Sequence, residues 1–243
     1  MINSDQDRVY AERQASVDAF EFDETVARVF PNMIERSVPG YRLVLSMTAR
    51  IAARYARPHT RLYDLGCSLG AAVTVVRHAV TAPGCRIVAL DSSPAMVERC
   101  AALVAADSGG LPVEVVCADM RDTVVTNASV VLLNFSLQFV AIEDRLPLLR
   151  AVRQGLCPGG CLVLSEKIVF AGQDNAVLVA LHEDFKRANG YSDLEIAQKR
   201  AALEHVLLPE SLQTHRQRLL EAGFRQVVPW YQGLNFCSLL ALA

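Results

Sequence analysis

No run of apolar residues in this 243-residue sequence approaches the ~18 needed to cross a bilayer; the apolar stretches are short blocks such as 176–181. No membrane association is expected. Positive charge is not in surplus either, since 24 Lys and Arg stand against 26 Asp and Glu for a formal charge of −2. A chain that tracks a phosphate backbone normally carries a basic excess, so direct nucleic-acid binding is disfavoured. The amino terminus, MINSDQDRVYAERQ, lacks both the apolar stretch of a signal peptide and the Arg-rich, acid-poor look of a transit peptide, which makes the cytoplasm the expected compartment. Seven cysteines, an odd number, form no CxxC pair and show no metal-site spacing. No metal is expected, and the thiols read as reduced core residues, with Cys157 and Cys161 of CPGGC explained by a tight turn leading into a strand.

What is present is an ordinary globular composition, 52% hydrophobic and 21% charged, which excludes disorder, collagen and coiled coil. The length suits one core with local insertions, so residues 1–243 are expected to form one domain. From residue 61 onward, short β-branched runs alternate with helix-period segments, the pattern of βαβ units around a parallel sheet. Strands are expected at 61–65, 86–90, 113–118, 129–135, 161–167, 225–231 and 238–241. Helices are expected at 69–80, at 94–106 behind a Ser93 cap, and at 143–156 before the Pro158-Gly159-Gly160 turn. Two segments stand outside the alternation. Residues 1–60 read as a frayed start to about residue 18, a segment at 22–35, a Val38-Pro39-Gly40 break and an amphipathic helix at 41–55. Residues 170–224 read as a helical insert with stretches at 176–189, 192–205 and 209–222, where Ser192 and Glu195 fit a capping box. Open α/β sheets bind ligands at the carboxyl ends of their strands, so both additions are placed to cover such a site.

The segment YDLGCSLGAA (63–72) leaves the first expected strand and enters a helix. Gly66 and Gly70 let a ligand approach the backbone, and the N–H groups of a helix start point at it. Asp91 ends the second strand about 20 residues beyond the loop, where an acid can accept hydrogen bonds from both ribose hydroxyls. The third strand ends in Asp119-Met120, where an acid can meet an adenine amino group and a thioether can lie on the ring. The fourth ends in Asn134-Phe135. Each acid taken singly is as well explained as a helix cap or a loop residue, and it is the set that points to a nucleoside. A dinucleotide needs room for a pyrophosphate, usually through GxGxxG, and Cys67 and Ser68 stand where further glycines would help. Elsewhere, His182, His205 and His215 read as surface or packing residues, Glu166-Lys167 as a local ion pair, and Trp230-Tyr231 as packing.

The D-x-G-x-x-x-G form with an acidic second strand resembles motif I of class I S-adenosylmethionine-dependent methyltransferases over about residues 60–170. That resemblance implies a Rossmann-like fold, a seven-stranded, mostly parallel sheet with an antiparallel last strand and helices on both faces. It also implies Asp91 on the ribose and Asp119 near the adenine. Over nearly its whole length the sequence is similar to a narrower family, the carboxy-S-adenosyl-L-methionine synthases. The similarity rests on FDETVARVFPNMIERSVPGY (22–41), YDLGCSLGAA (63–72), Asp91 followed by SSPAMVERC (92–100), NFSLQF (134–139), LSEK (164–167), DFKRANGYSDLEIAQKR (184–200) and LNFCSLLAL (234–242).

The resemblance implies that S-adenosylmethionine is a substrate, that prephenate supplies a carboxyl group and leaves as phenylpyruvate, and that a partner enzyme uses the carboxylated sulfonium to modify a tRNA wobble uridine. It places Tyr41, Gly66, Cys67, Ser68, Asp91, Ser92, Asp119, Met120, Asn134 and Arg200 on the ligand, with Arg200 and Tyr41 at the reacting centre. Ser92 and Met120 depart from the family's commonest residues, Asn and Ile, at contacts the backbone can make. A guanidinium binds carboxylate bidentately and stays charged, which suits Arg200 as a clamp; taken alone it reads as a solvated charge on a helix face. If the insert meets a second subunit, Arg200 can reach the partner's site, so a homodimer is expected. An ordinary methyltransferase and a non-catalytic cofactor-binding module remain alternatives from the residues alone.

Overall fold

A computed structural model describes residues 6–243 of the chain. Its centre is a seven-stranded sheet of β1 (Arg61–Leu65), β2 (Arg86–Asp91), β3 (Val113–Cys117), β4 (Ala128–Asn134), β5 (Leu156–Lys167), β6 (Gln226–Gly233) and β7 (Phe236–Leu242). The order is β3-β2-β1-β4-β5-β7-β6, and β7 runs antiparallel to both of its neighbours while the other pairings are parallel. This is the expected class I, Rossmann-like arrangement. β4 lies at the centre and is apolar on both faces, as a strand covered on both sides must be. Its alternation sorts the core: Val131 and Leu133 join one buried cluster, Val130 and Leu132 the other.

Helices cover both faces. α1 (Glu24–Ser37) and α2 (Tyr41–Tyr55) precede the sheet, and α3 (Ala71–Ala79), α4 (Pro94–Ala106) and α5 (Ile142–Gly155) follow β1, β2 and β4. α6 (Gly172–Ala188), α7 (Asp193–Leu203) and α8 (Leu212–Glu221) form the insert between β5 and β6. Start signals act where the sequence shows them. Ser93 accepts the Met96 N–H with Pro94 at the first helical position, and the Ser192–Glu195 capping box closes in both directions. Among the described residues, no helix is long and apolar enough to cross a membrane.

Three expectations need correction. The CPGGC segment is not a turn ahead of a strand. β5 already begins at Leu156, and the register jumps from Ala128↔Leu156 to Val130↔Cys161, so the extra residues bulge within the strand, with Gly159 taking φ +72°. Residues 6–18 are not frayed: Asp7 and Tyr10 are buried, while residues 1–5 lie outside the described part. Two side chains tie this segment down. Arg36 donates to the Asp7 carbonyl at 3.0 Å, and Gln198 Nε2 donates to the Tyr10 and Glu12 carbonyls at 2.9 and 2.8 Å. Glu166 and Lys167 form no ion pair. Glu166 is fully buried and its Oε1 accepts the Leu137 N–H at 3.1 Å, while burial holds its carboxyl well above the usual range.

Candidate active site

The carboxyl ends of β1 to β5 open into a cavity of about 660 Å³, within the size range of small-molecule sites and roofed by α1, the segment before it and the insert. The loop after β1 is held by its backbone, since Gly66 N–H and Cys67 N–H both donate to the Leu90 carbonyl, at 2.8 and 2.9 Å. Gly66 takes φ +87°, and a Cβ there would sit 2.5 Å from the Ser136 Cβ. Any side chain at position 66 would collide with the residue whose hydroxyl donates to the Leu65 carbonyl at 2.7 Å. The backbone of this loop is thus the surface a ligand meets.

Nine of the ten expected ligand positions line this one cavity: Tyr41, Gly66, Cys67, Ser68, Asp91, Ser92, Asp119, Met120 and Asn134. Asp91 also does the structural work of a cap. Its Oδ2 accepts the Ser68 N–H and its Oδ1 the Ser93 N–H, each at 2.9 Å, so the acid that would face a ribose also fixes the glycine loop against α4. Burial nonetheless holds its carboxyl above the usual range. Asp119 is gripped by the Arg121 guanidinium, which lowers its pKa. Asn134 Nδ2 is buried without a partner at the cavity edge. Tyr41 opens α2 with its ring 6.2 Å from that of Phe135, and burial pushes its hydroxyl far above the ordinary range.

Arg200 is the exception. It lies on the exposed side of α7, ion-paired with Glu183, and is absent from the wall of its own chain's cavity. Its charge is still felt at Lys167.

The wall also carries residues that sequence reasoning left aside. Asp64, at the end of β1, is buried with neither carboxylate oxygen hydrogen-bonded, and burial, with Asp91 nearby, pushes its pKa up to about 7. Its place in the D-x-G motif was the available signal. Lys167 from the end of β5, His182 and Lys186 from α6, and Lys199 from α7 also face the cavity. His182 and Lys186 are one helical turn apart and share a face. His182 Nε2 lies 2.8 Å from the Ser37 carbonyl oxygen, which can only accept, so that nitrogen carries the proton, and burial lowers the ring pKa to about 3. His182 therefore packs, as expected, against Phe236, but it is also part of the wall. Burial lowers Lys186 to about 7 and Lys199 to about 8, with the neighbouring lysines contributing at Lys186. Lys199 Nζ is within 3.2 Å of Ser37 Oγ and 3.6 Å of the buried Asp7 carboxylate.

The residues fit an adenosyl sulfonium. A carboxylate buried without a partner, a glycine cradle that a Cβ would fill, and an unpartnered amide at the next strand end together suit a positively charged nucleoside. The sheet order, the glycine loop and the strand-end acids define an S-adenosylmethionine-using protein of the class I methyltransferase fold. Consistent with this class, a methyltransferase-domain family model matches residues 62–160. The fold is shared with human N-acetylserotonin methyltransferase in complex with S-adenosylmethionine, at TM-score 0.61 and 16% identity over 90% of this chain and 55% of that one. A chain from the complex between the Haloferax volcanii Trm112 methyltransferase activator and a methyltransferase matches at TM-score 0.60 and 16% identity, over 93% of this chain and 99% of that one.

Full-length relatives are more specific. Carboxy-S-adenosyl-L-methionine synthase of Stutzerimonas stutzeri is 54% identical over 246 residues, covering 99% of this chain and 100% of the relative. The Trichlorobacter lovleyi protein of the same name is 51% identical over 238 residues, covering 97% and 98%. The chain belongs to the carboxy-S-adenosyl-L-methionine synthase family, and is a transferase that uses S-adenosylmethionine.

Proposed function

We propose that the protein converts S-adenosylmethionine and prephenate into carboxy-S-adenosylmethionine and phenylpyruvate, and that a second enzyme uses the product to modify a tRNA wobble uridine. The observation that carries this reading is the division of charge in one cavity. Acids lie at the ends of β1 to β3, Asp64 among them with no hydrogen-bond partner, and lysines lie at the end of β5 and on the insert. A methyl-transfer site needs only the first half.

The sulfonium supplies the chemistry by acidifying its methyl C–H bonds, so that a base beside it yields a carbon nucleophile. Prephenate breaks its ring C–carboxylate bond and its C–OH bond as the ring becomes aromatic. The hydroxide takes the methyl proton to give water, and the resulting carbon forms a bond to the released CO2. Atoms and charge balance with no other reactant. The protein's contribution is to orient two oppositely charged substrates and keep water out. Asp91 and Asp119 hold the ribose and adenine, Met120 lies on the base, and the backbone of Gly66, Cys67, Ser68 and Ser92 follows the amino-acid portion. Tyr41 and Asn134 border the reacting methyl. Phe20, Phe22 and Phe139, in edge contact, close the roof.

Arg200 belongs in this scheme as a clamp on the new carboxylate, acting across a homodimer, because its own cavity does not include it.

Mass spectrometry of the ligand released on denaturation tests the proposal. After incubation with prephenate the expected ligand is S-adenosylmethionine plus one CO2, with phenylpyruvate in the filtrate. Recovery of S-adenosylhomocysteine with a methylated acceptor, or of unchanged S-adenosylmethionine alone, would overturn it.

A further inference from the structure

Lys167 and Lys186 are half-buried ammonium groups on the cavity wall with no carboxylate within ion-pair distance among the described residues. Lys199 stands with them and is buried, its ion-pair partner being Asp7 at 3.6 Å. The carboxylates that also border the cavity are occupied or lie elsewhere. Glu35 is paired with Arg42, Asp119 with Arg121, and Asp64 and Asp91 sit at the ends of β1 and β2, across β4 from Lys167. Gathering cations away from water without counter-charges is expensive, and a protein retains such a group where a ligand supplies the charge. The three come from three elements, β5, α6 and α7, so their convergence is a property of the folded insert on the sheet and not of one charged helix face.

We propose that Lys167, Lys186 and Lys199 form a dicarboxylate subsite that seats the second substrate beside the sulfonium. The inference rests on the carboxyl-transfer reading and assigns the residues that bind the donor. Two ammonium groups without protein partners match two carboxylates, and Lys199, held by Ser37 and Tyr191, adds a third cation to the same wall. The apolar walls contributed by Phe135 and Phe236 suit the ring that joins those carboxylates.

Calorimetric titration of the full chain loaded with S-adenosylhomocysteine, which lacks the methyl group that would react, tests this, with prephenate and the stable aromatic dicarboxylate phenylsuccinate as probes. Lys167→Met and Lys186→Met should each weaken binding of both probes tenfold or more. S-adenosylmethionine affinity should stay within threefold, which also reports that the variants fold. Unchanged dicarboxylate binding in the double variant would overturn the subsite. So would an equal loss of S-adenosylmethionine affinity, which would assign the lysines to that molecule's own carboxylate. Wild-type protein that binds neither probe would overturn it as well. Lysine-dependent binding of phenylsuccinate without binding of prephenate would uphold the subsite and refute prephenate as the carboxyl donor.

Discussion

Asp64 shows how a single side chain can couple ligand charge to pH. Burial, with Asp91 close by, raises its carboxyl to about 7 in the folded protein. The unfolded chain releases that proton near ~3.9, so the ligand-free fold loses stability as pH rises between those values. A cationic ligand reverses the preference, because it binds the ionised form better. Affinity for S-adenosylmethionine should therefore rise several-fold between pH 6 and pH 8, and Asp64→Asn should flatten the rise, as read by equilibrium dialysis across that range. A wild-type slope that survives the substitution would assign the dependence to another group. Lys186 and Lys199 lose charge over the same range, so the part of the slope that Asp64→Asn removes is the part owed to Asp64. At this scale the strand-end residues were legible because a strand's last position and the following loop have a fixed relation to the ligand in an open α/β sheet. The insert's two lysines, Lys186 and Lys199, were not. On a helix of the insert, a charged residue turned inward looks the same in sequence as one turned outward, and only the packing of α6 against α1 and α7 separates them.

Among the elements, the segment before α1 shapes the site more than its polar sequence suggests. It is clamped to α7 by Gln198, whose Oε1 accepts the Gln14 N–H at 2.7 Å while its Nε2 reaches two carbonyls, and by a Phe20–Ala202 backbone bond of 3.0 Å. Removing the Gln198 side chain leaves three backbone groups unpaired, at a cost of ~1–3 kcal/mol. Gln198→Ala should lower the melting midpoint by several degrees and raise hydrogen exchange at Gln14 and Phe20; unchanged protection there would show that the segment is held by other contacts. The strands and the well-capped helices followed from hydrophobic period and local start signals. The bulge in β5 did not, because CPGGC carries every local mark of a turn and only its pairing with β4 keeps it in the sheet. Nor did the ordering of residues 6–18, which depends on partners ~180 residues away in α7, beyond the reach of any local pattern.

For the whole molecule, Arg200 makes the proposed second copy a working part. If it serves the neighbouring site, Arg200→Ala and Asp91→Ala proteins are each inactive alone, but a mixed dimer regains one complete site of two. Random mixing of equal amounts should restore ~25% of wild-type turnover in a symmetric dimer. No recovery after subunit exchange would place Arg200 in its own chain's reaction or outside it altogether. The sheet order carries a further consequence. Because the wall carries Asp64 and Asp91 at the ends of β1 and β2 and the Lys167 ammonium across β4 at the end of β5, the pocket can act as a sorter that needs little shape information. Whichever molecule arrives is drawn to the seat of opposite polarity, and an exchanged pair would bring like charges face to face.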